Sequence, residues 1–245
     1  MARLPEHPAP HLTRGGPAFT MTMHRKPGAR RNALALTALL LAAQALFAYE
    51  VPLSSHSVRE AYFLGQRNDQ KTAEFFAPYK KPLPMPQTGP HVAEITLLTP
   101  YAQVVQLSAA HSIGYSAQQA EEAYQGRGDT LRVHVRLNLT PTYSFVMARK
   151  SAQNAADRQG VELRPDDFWQ DFQFQLRQKD ATLIPLDVRG EPVYQHDARG
   201  SGGLAGAEVW LEYDAAEVAS EMVEMEVVTP DGQHVTAKFD LEKLR

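Results

Sequence analysis

The sequence predicts a mainly β protein, an antiparallel β-sandwich of immunoglobulin-like architecture preceded by a short helical segment, and three observations carry that reading. Near the end, Val223, Met225 and Val227 alternate with Glu224 and Glu226, Thr229-Pro230-Asp231-Gly232-Gln233 follows, and Val235, Ala237, Phe239 and Leu241 alternate with Thr236, Lys238 and Asp240. That is the period-two pattern of a β-hairpin. In the middle, Leu131, Val133, Val135, Leu137 and Leu139 point one way while Arg132, His134, Arg136 and Asn138 point the other. Beyond residue 90, further short runs of this kind are separated by Pro, Gly and Asp turn signals with few helical patterns between them, which suits a sandwich, with a barrel as the alternative.

The hairpin also predicts its own register. Pro230 presets φ for a type I turn, and Gly232 can take the left-handed conformation that makes a bulge after it. Thr229 then faces Gln233, Val227 faces Val235, Met225 faces Ala237, Val223 faces Phe239 and Glu224 faces Lys238. Without the bulge each apolar side chain would meet a polar one.

The elements before it follow in order. Residues 54–79 read as helical: Ser57 and Glu60 have the spacing of a capping box, Gly65 is expected to end the first helix, and Asn68 or Asp69 to cap a second running to Phe76. Prolines 82, 84, 86 and 90 predict a stiff extended linker over 81–90, separating a helical arm (49–80) from the β domain (91–245). A strand is expected from His91 to Leu98, continuing through Tyr101–Leu107 past a break at Pro100. Ser116 and Gln119 form a capping box for a short helix that stops at Gly126 or Gly128. After the 129–139 strand, residues 144–166 read as a long connection with one helical turn at Ala148–Asp157. Strands then follow at Phe172–Arg177, at Thr182–Val188 and Pro192–Gln195 in Pro-interrupted edge form, and at Ala207–Tyr213 after a loop from Gly200 to Gly206.

Basic residues (Arg25, Lys26, Arg30, Arg31) precede the uncharged run Asn32–Phe47, which ends in Ala43-Gln44-Ala45 and Leu46-Phe47-Ala48. This is the layout of a secretory signal peptide cleaved after Ala45 or Ala48. The run is short for a membrane span of about 20 residues. Met1, Met21 and Met23 are all possible starts. Residues 1–48 hold six of the 25 Lys/Arg and one of the 28 Asp/Glu, leaving 19 against 27 and a net charge of −8. That balance argues against nucleic acid and against membrane contact beyond an N-terminal anchor. The absence of cysteine excludes disulfides and thiolate metal sites.

Catalytic and cofactor motifs are weak. The glycine-rich stretch 200–206 is followed by a strand rather than a helix, so it cannot make a phosphate cradle. Neither Ser116 nor Ser201 sits in a nucleophile elbow, and no two of the six histidines after residue 48 have metal-ligand spacing. No catalytic, cofactor or metal residues are assigned. The candidate interaction surface is Arg132, His134 and Arg136, a cationic stripe on the outer face of one strand, together with Trp210. The stripe is expected to meet an acidic stripe across strands, from Glu224 and Glu226 or from Glu208 and Glu212, and the 223–241 hairpin is expected to pair with it or share its sheet. Trp210 lies on a polar face between Glu208 and Glu212, and reads as the landing site for the N-terminal helices or as a binding anchor.

Five segments together, Arg59-Glu60-Ala61-Tyr62-Phe63-Leu64-Gly65, Thr99-Pro100-Tyr101-Ala102, Gly114-Tyr115-Ser116-Ala117-Gln118-Gln119-Ala120, Glu162-Leu163-Arg164-Pro165-Asp166-Asp167-Phe168-Trp169 and Thr229-Pro230-Asp231-Gly232, resemble a family of uncharacterised exported bacterial proteins. The resemblance brings no activity, cofactor or catalytic residue. The expectation is a periplasmic or extracellular, non-enzymatic protein that binds a protein or envelope component. A hydrolase with a site built from the 144–166 and 196–206 loops and a membrane-tethered structural protein are the alternatives.

Overall fold

In the computed structural model the described residues are 49–111, 113–147, 161–196 and 202–245, with the backbone alone at 145–147, 161–163, 196 and 202. They belong to one compact unit, 47–245. Strands β1 (Lys80–Pro82), β2 (His91–Leu98), β3 (Thr130–Asn138), β8 (Asp187–His196) and β9 (Gly202–Asp214) form a five-stranded sheet in the order β1-β2-β3-β9-β8. A second sheet runs β11-β10-β6-β7, from His234–Asp240, Met222–Val228, Gln173–Gln178 and Ala181–Leu183. All pairings in both sheets are antiparallel. A separate ribbon pairs β4 (Phe145–Met147) with β5 (Val161–Leu163). Four α-helices, α1 (Ser55–Arg67), α2 (Gln70–Phe76), α3 (Pro100–Ala110) and α4 (Ala117–Arg127), complete a mainly β fold.

The alternation read in the sequence places the core. Leu131, Val133 and Val135 of β3 are fully buried, as are Val209 and Leu211 of β9. They share one apolar cluster with Leu176 of β6, Val223, Met225 and Val227 of β10 and Phe239 of β11. The two sheets therefore bury their inner faces against each other, each large side chain contributing about 1.5–3 kcal/mol. The hairpin β10–β11 has the predicted register, with Val227 opposite Val235, Met225 opposite Ala237, Val223 opposite Phe239 and Glu224 opposite Lys238. Gly232 has φ of +82°, and Thr229 N donates to Gln233 O at 3.0 Å. Glycine is needed at that φ because a Cβ would crowd the following carbonyl.

Several local expectations are corrected. The helix α1 begins one turn earlier, on Ser54, whose side chain accepts from Ser57 N, while the Ser57 hydroxyl is turned to Glu50. Gly65 does not end α1, which continues to Arg67 and is capped by Asn68 in the left-handed conformation. Gly65 is instead where α1 crosses α3: a Cβ there would lie 2.3 Å from Val105 O and 2.7 Å from Ser108 Cβ. Residues 101–107 are helix, not strand. Thr99 Oγ1 accepts from Ala102 N at 3.2 Å and Pro100 opens α3, an N-cap followed by a proline at the first helical position. Because Tyr101 through Val105 are all buried, α3 carries no one-sided stripe that would have disclosed its period.

The stretch from Gly202 to Gly206 is strand rather than loop, pairing with β8 from His196 to Val193. Its glycine at 206 permits close approach, since a Cβ would meet Leu137 O at 2.1 Å. The proline-rich segment after β1 is tied down along its length: Leu83 N donates to Ala93 O at 2.9 Å, Gly89 N to Thr142 Oγ1 at 3.1 Å, and Gln233 Nε2 to Thr88 O at 3.0 Å. The helical turn expected at 148–157 and the signal segment 1–48 lie outside the described residues.

The N-terminal helices pack on α3 and α4 in a second cluster built from Val58, Ala61, Tyr101, Val104, Val105 and Ala120. Among the described residues no helix is long and apolar enough to cross a membrane.

Candidate functional site

The outer face of the five-stranded sheet holds all four residues singled out in the sequence. Antiparallel register sets them in rows across β3, β9 and β8: Arg132, Glu212 and Asp187; His134, Trp210 and Arg189; Arg136, Glu208 and Glu191. On the other side of β3, Glu94 lies opposite Arg136 and Thr96 opposite His134. Partners opposite each other on one face of a sheet come within about 4.5–5.5 Å at Cβ, close enough for every row to interact.

Arg132 donates to one Glu212 oxygen from both Nε (3.0 Å) and Nη2 (2.5 Å), with each side chain about four-fifths covered (17% and 22% exposed). Arg136 Nη2 lies 3.8 Å from Glu94 Oε2. The cationic stripe is thus met by acids on β9 and β2. The expectation that the β10–β11 hairpin would supply them is overturned, because β10 and β11 lie in the other sheet. Glu224 and Glu226 find partners within their own sheet: Lys238 Nζ is 3.3 Å from Glu224, while Arg177 Nη2 (2.6 Å) and His234 Nδ1 (2.7 Å) flank Glu226. The hydrogen bond from His234, then Arg177, holds the Glu226 carboxyl below the usual carboxylate range against the opposing effect of desolvation.

Trp210 is the centre of the middle row. The His134 ring stacks on it with centroids 5.0 Å apart and planes 20° apart, and the Arg189 guanidinium sits 5.6 Å from the indole centroid. The indole is thus flanked by a ring from β3 and a guanidinium from β8. The N-terminal helices do not land on it; they close their own cluster on α3 and α4. Burial pushes the His134 imidazole below its ordinary value, outweighing the upward pull of Glu208 and Glu94, and Arg136 adds to the depression. His134 is therefore neutral at pH 7 and stacks as an uncharged ring. Its Nε2 lies 3.5 Å from Glu208 Oε2, too far for a strong hydrogen bond.

The remaining described histidines are placed apart. His91 Nε2 is 3.1 Å from Leu83 O, and His111 Nδ1 is 2.8 Å from Leu107 O with its ring stacked on Tyr115. Among the described residues no histidine hydrogen-bonds a serine hydroxyl, and no group of three or more His, Cys, Asp or Glu could hold a metal ion. A groove of about 350 Å³ runs between the proline-rich segment and β11, lined by Leu83, Met85, Pro90, Val92, His234 and Val235.

The expected strand Thr182–Val188 is divided at Pro185: Thr182 and Leu183 belong to β7 in one sheet, while Asp187 and Val188 open β8 in the other. The expected Pro192–Gln195 strand is the continuation of β8, which runs unbroken through ten residues as the outermost strand of its sheet, the edge placement that Pro192 predicts. A scan of protein-family models finds no match to this chain, and a search of curated proteins finds none.

Proposed function

We propose that the protein is an exported, non-enzymatic β-sandwich with a binding, adaptor or structural role in the cell envelope, and that its ligand-facing surface is the Trp210 face. The observation that carries this reading is the middle row of that face. A partly buried indole lies between the His134 ring and the Arg189 guanidinium, with paired charges in the flanking rows. Pre-ordered aromatic side chains ringed by polar groups are the usual anchors of protein recognition, because little entropy is lost when they are covered.

The strand order supports an immunoglobulin-like form of the sandwich. Strands β2-β3-β9-β8 follow the A-B-E-D order of that architecture, and β11-β10-β6 follow G-F-C with β7 in the place of C′. Helices α3 and α4 are then an insertion between A and B, and Trp169, four residues before β6, covers Gly190 of β8. Export is supported by the signal-peptide layout of residues 25–48 and by the resemblance to exported bacterial proteins.

The test is a photoreactive amino acid placed at Arg136, exposed on the same face in the row beside Trp210, and, as a control, at Lys238 on the other sheet, in cells producing the full chain. A discrete covalent adduct from 136 and none from 238, on protein recovered from the envelope or medium with Leu46 or Tyr49 at its N-terminus, is the expected result. No adduct from position 136, or a chain retained in the cytoplasm, would end this reading.

A further inference from the structure

The most exposed apolar segment of the described chain runs from Ile184 to Tyr194, where Ile184 (80% exposed), Leu186 (66%), Val188 (40%), Val193 (38%) and Tyr194 (48%) accompany β8. The strand pairs with β9 on one side, and among the described residues no strand pairs with its other side. A long unpaired edge strand is a template for strand addition, and here Pro192 and the irregularity at Val193–Tyr194 limit the usable edge to its first half, up to Pro192.

Its backbone phase is determined by its neighbours. Leu139 N donates to Ala205 O at 2.8 Å, so Ala205, and by alternation Ala207 and Val209, direct their backbone groups toward β3. Their partners on β8, Pro192 opposite Ala207 and Gly190 opposite Val209, must then direct theirs away from β9. Pro192 agrees, since it has no N–H and is tolerated only in that phase. The free edge therefore presents Val188 and Gly190 N–H together with the carbonyls of Val188, Gly190 and Pro192.

We propose that β8 pairs antiparallel with β8 of a second copy of this chain, about a two-fold axis through Gly190. Charge favours that register over its two nearest neighbours, and over a Val188 centre, which pairs Arg189 with Asp187 but leaves Glu191 opposite Pro185. Centred on Gly190, Arg189 lies opposite the second copy's Glu191 and Glu191 opposite its Arg189. Centred one residue earlier, Arg189 meets Arg189 and Asp187 meets Glu191; centred one residue later, Glu191 meets Glu191. Opposite charges across strands stabilise and like charges destabilise. The Gly190 centre also makes productive use of the edge: the two Gly190 residues exchange N–H and carbonyl, and each Val188 N–H meets the other copy's Pro192 carbonyl, four hydrogen bonds in all.

Gly190 is bare because Trp169 occupies its side-chain position; a Cβ there would be 2.2 Å from Trp169 Cε2. The axis therefore brings the two Trp169 rings toward each other beneath the joined sheets, and Val188 next to Pro192 of the second copy. This surface is contiguous with the Trp210 face through Arg189, but the inference does not depend on what Trp210 binds.

The test is sedimentation velocity of the purified protein over about 1–200 μM, because a dimer dissociates on dilution. A dimer is expected. Arg189→Glu and Glu191→Arg each replace two attractive cross-strand pairs by two repulsive ones, and each should weaken dimerisation at least about tenfold. The two single variants mixed together are complementary and should form a heterodimer, and the double exchange should restore self-association. Rescue separates pairing from misfolding. A wild-type monomer throughout the range, dimerisation indifferent to both single exchanges, or failure of the mixture to associate would each overturn the proposal. A monomer whose Val188 and Gly190 amides resist hydrogen exchange would assign the edge to the chain's own residues.

Discussion

The same methyl group added at Gly65 and at Gly126 should act with opposite sign. Both glycines lie in helices, where replacement by alanine brings about 1 kcal/mol through backbone entropy. At Gly126, in the last turns of α4, nothing lies within 4 Å of the added Cβ. Gly126→Ala should therefore stabilise by about 0.5–1 kcal/mol. At Gly65 the added Cβ would sit 2.3 Å from Val105 O, 2.7 Å from Ser108 Cβ and 3.0 Å from Ala109 N. Two of those three atoms are helix backbone, which cannot rotate aside, so α1 must lift from α3. Overpacking of this kind costs about 1–3 kcal/mol, and lifting also exposes Val58 and Ala61. After the propensity gain, Gly65→Ala should lose about 1–2 kcal/mol. In a unit of about 200 residues each kcal/mol moves Tm by about 2–4 °C, so thermal unfolding should occur about 2–8 °C lower for Gly65→Ala and slightly higher for Gly126→Ala. Calorimetry of both variants checks the pair. Equal rises in Tm would show that α1 and α3 do not cross closely at Gly65.

Two acid-sensitive groups should act in separate windows. His134 has a depressed folded pKa, so the unfolded chain binds its proton first. Stability from this residue is complete above about 6.5 and is lost as pH falls from there through the folded value. His134→Gln should flatten denaturant midpoints between about pH 7 and 5. Glu226 also has a depressed pKa, but in the carboxylate range. Its contribution is present above about 4.3 and is lost only as pH falls through its folded value, so Glu226→Gln should alter the profile below about pH 5. Coincident windows for the two variants would contradict these assignments. Gly232→Ala, at φ +82°, should cost about 1–2 kcal/mol in chemical denaturation; no loss would mean the hairpin turn is not built as described.

Much of the sheet framework was legible because its determinants are local. The inward face of β3 follows from its four alternating apolar residues, Leu131, Val133, Val135 and Leu137, and the register of β10–β11 follows from Pro230, Gly232 and the requirement that apolar side chains face each other. The start of α4 was equally legible, since both halves of the Ser116–Gln119 box are made within four residues. Where a residue's role is set by a neighbour distant in sequence, the local reading failed. Gly65 reads as a helix end and serves as a helix crossing. Gly206 reads as a loop and permits contact with β3. Residues 101–107 read as a strand because α3 is buried on nearly all sides and shows no stripe.

The candidate surface divides in the same way. Sequence alone determined that Arg132, His134 and Arg136 share one face of a strand, and that Trp210 shares one with Glu208 and Glu212, because side chains alternate along any strand. Which strand lies beside which is decided by the burial of whole faces and by connections of tens of residues, and that information is in no single segment. Tertiary structure put β9, rather than β10, against β3. It thereby gave Arg132 its partner in Glu212, laid His134 on Trp210, and left β8 at the edge with Arg189 and Glu191 on either side of a bare glycine.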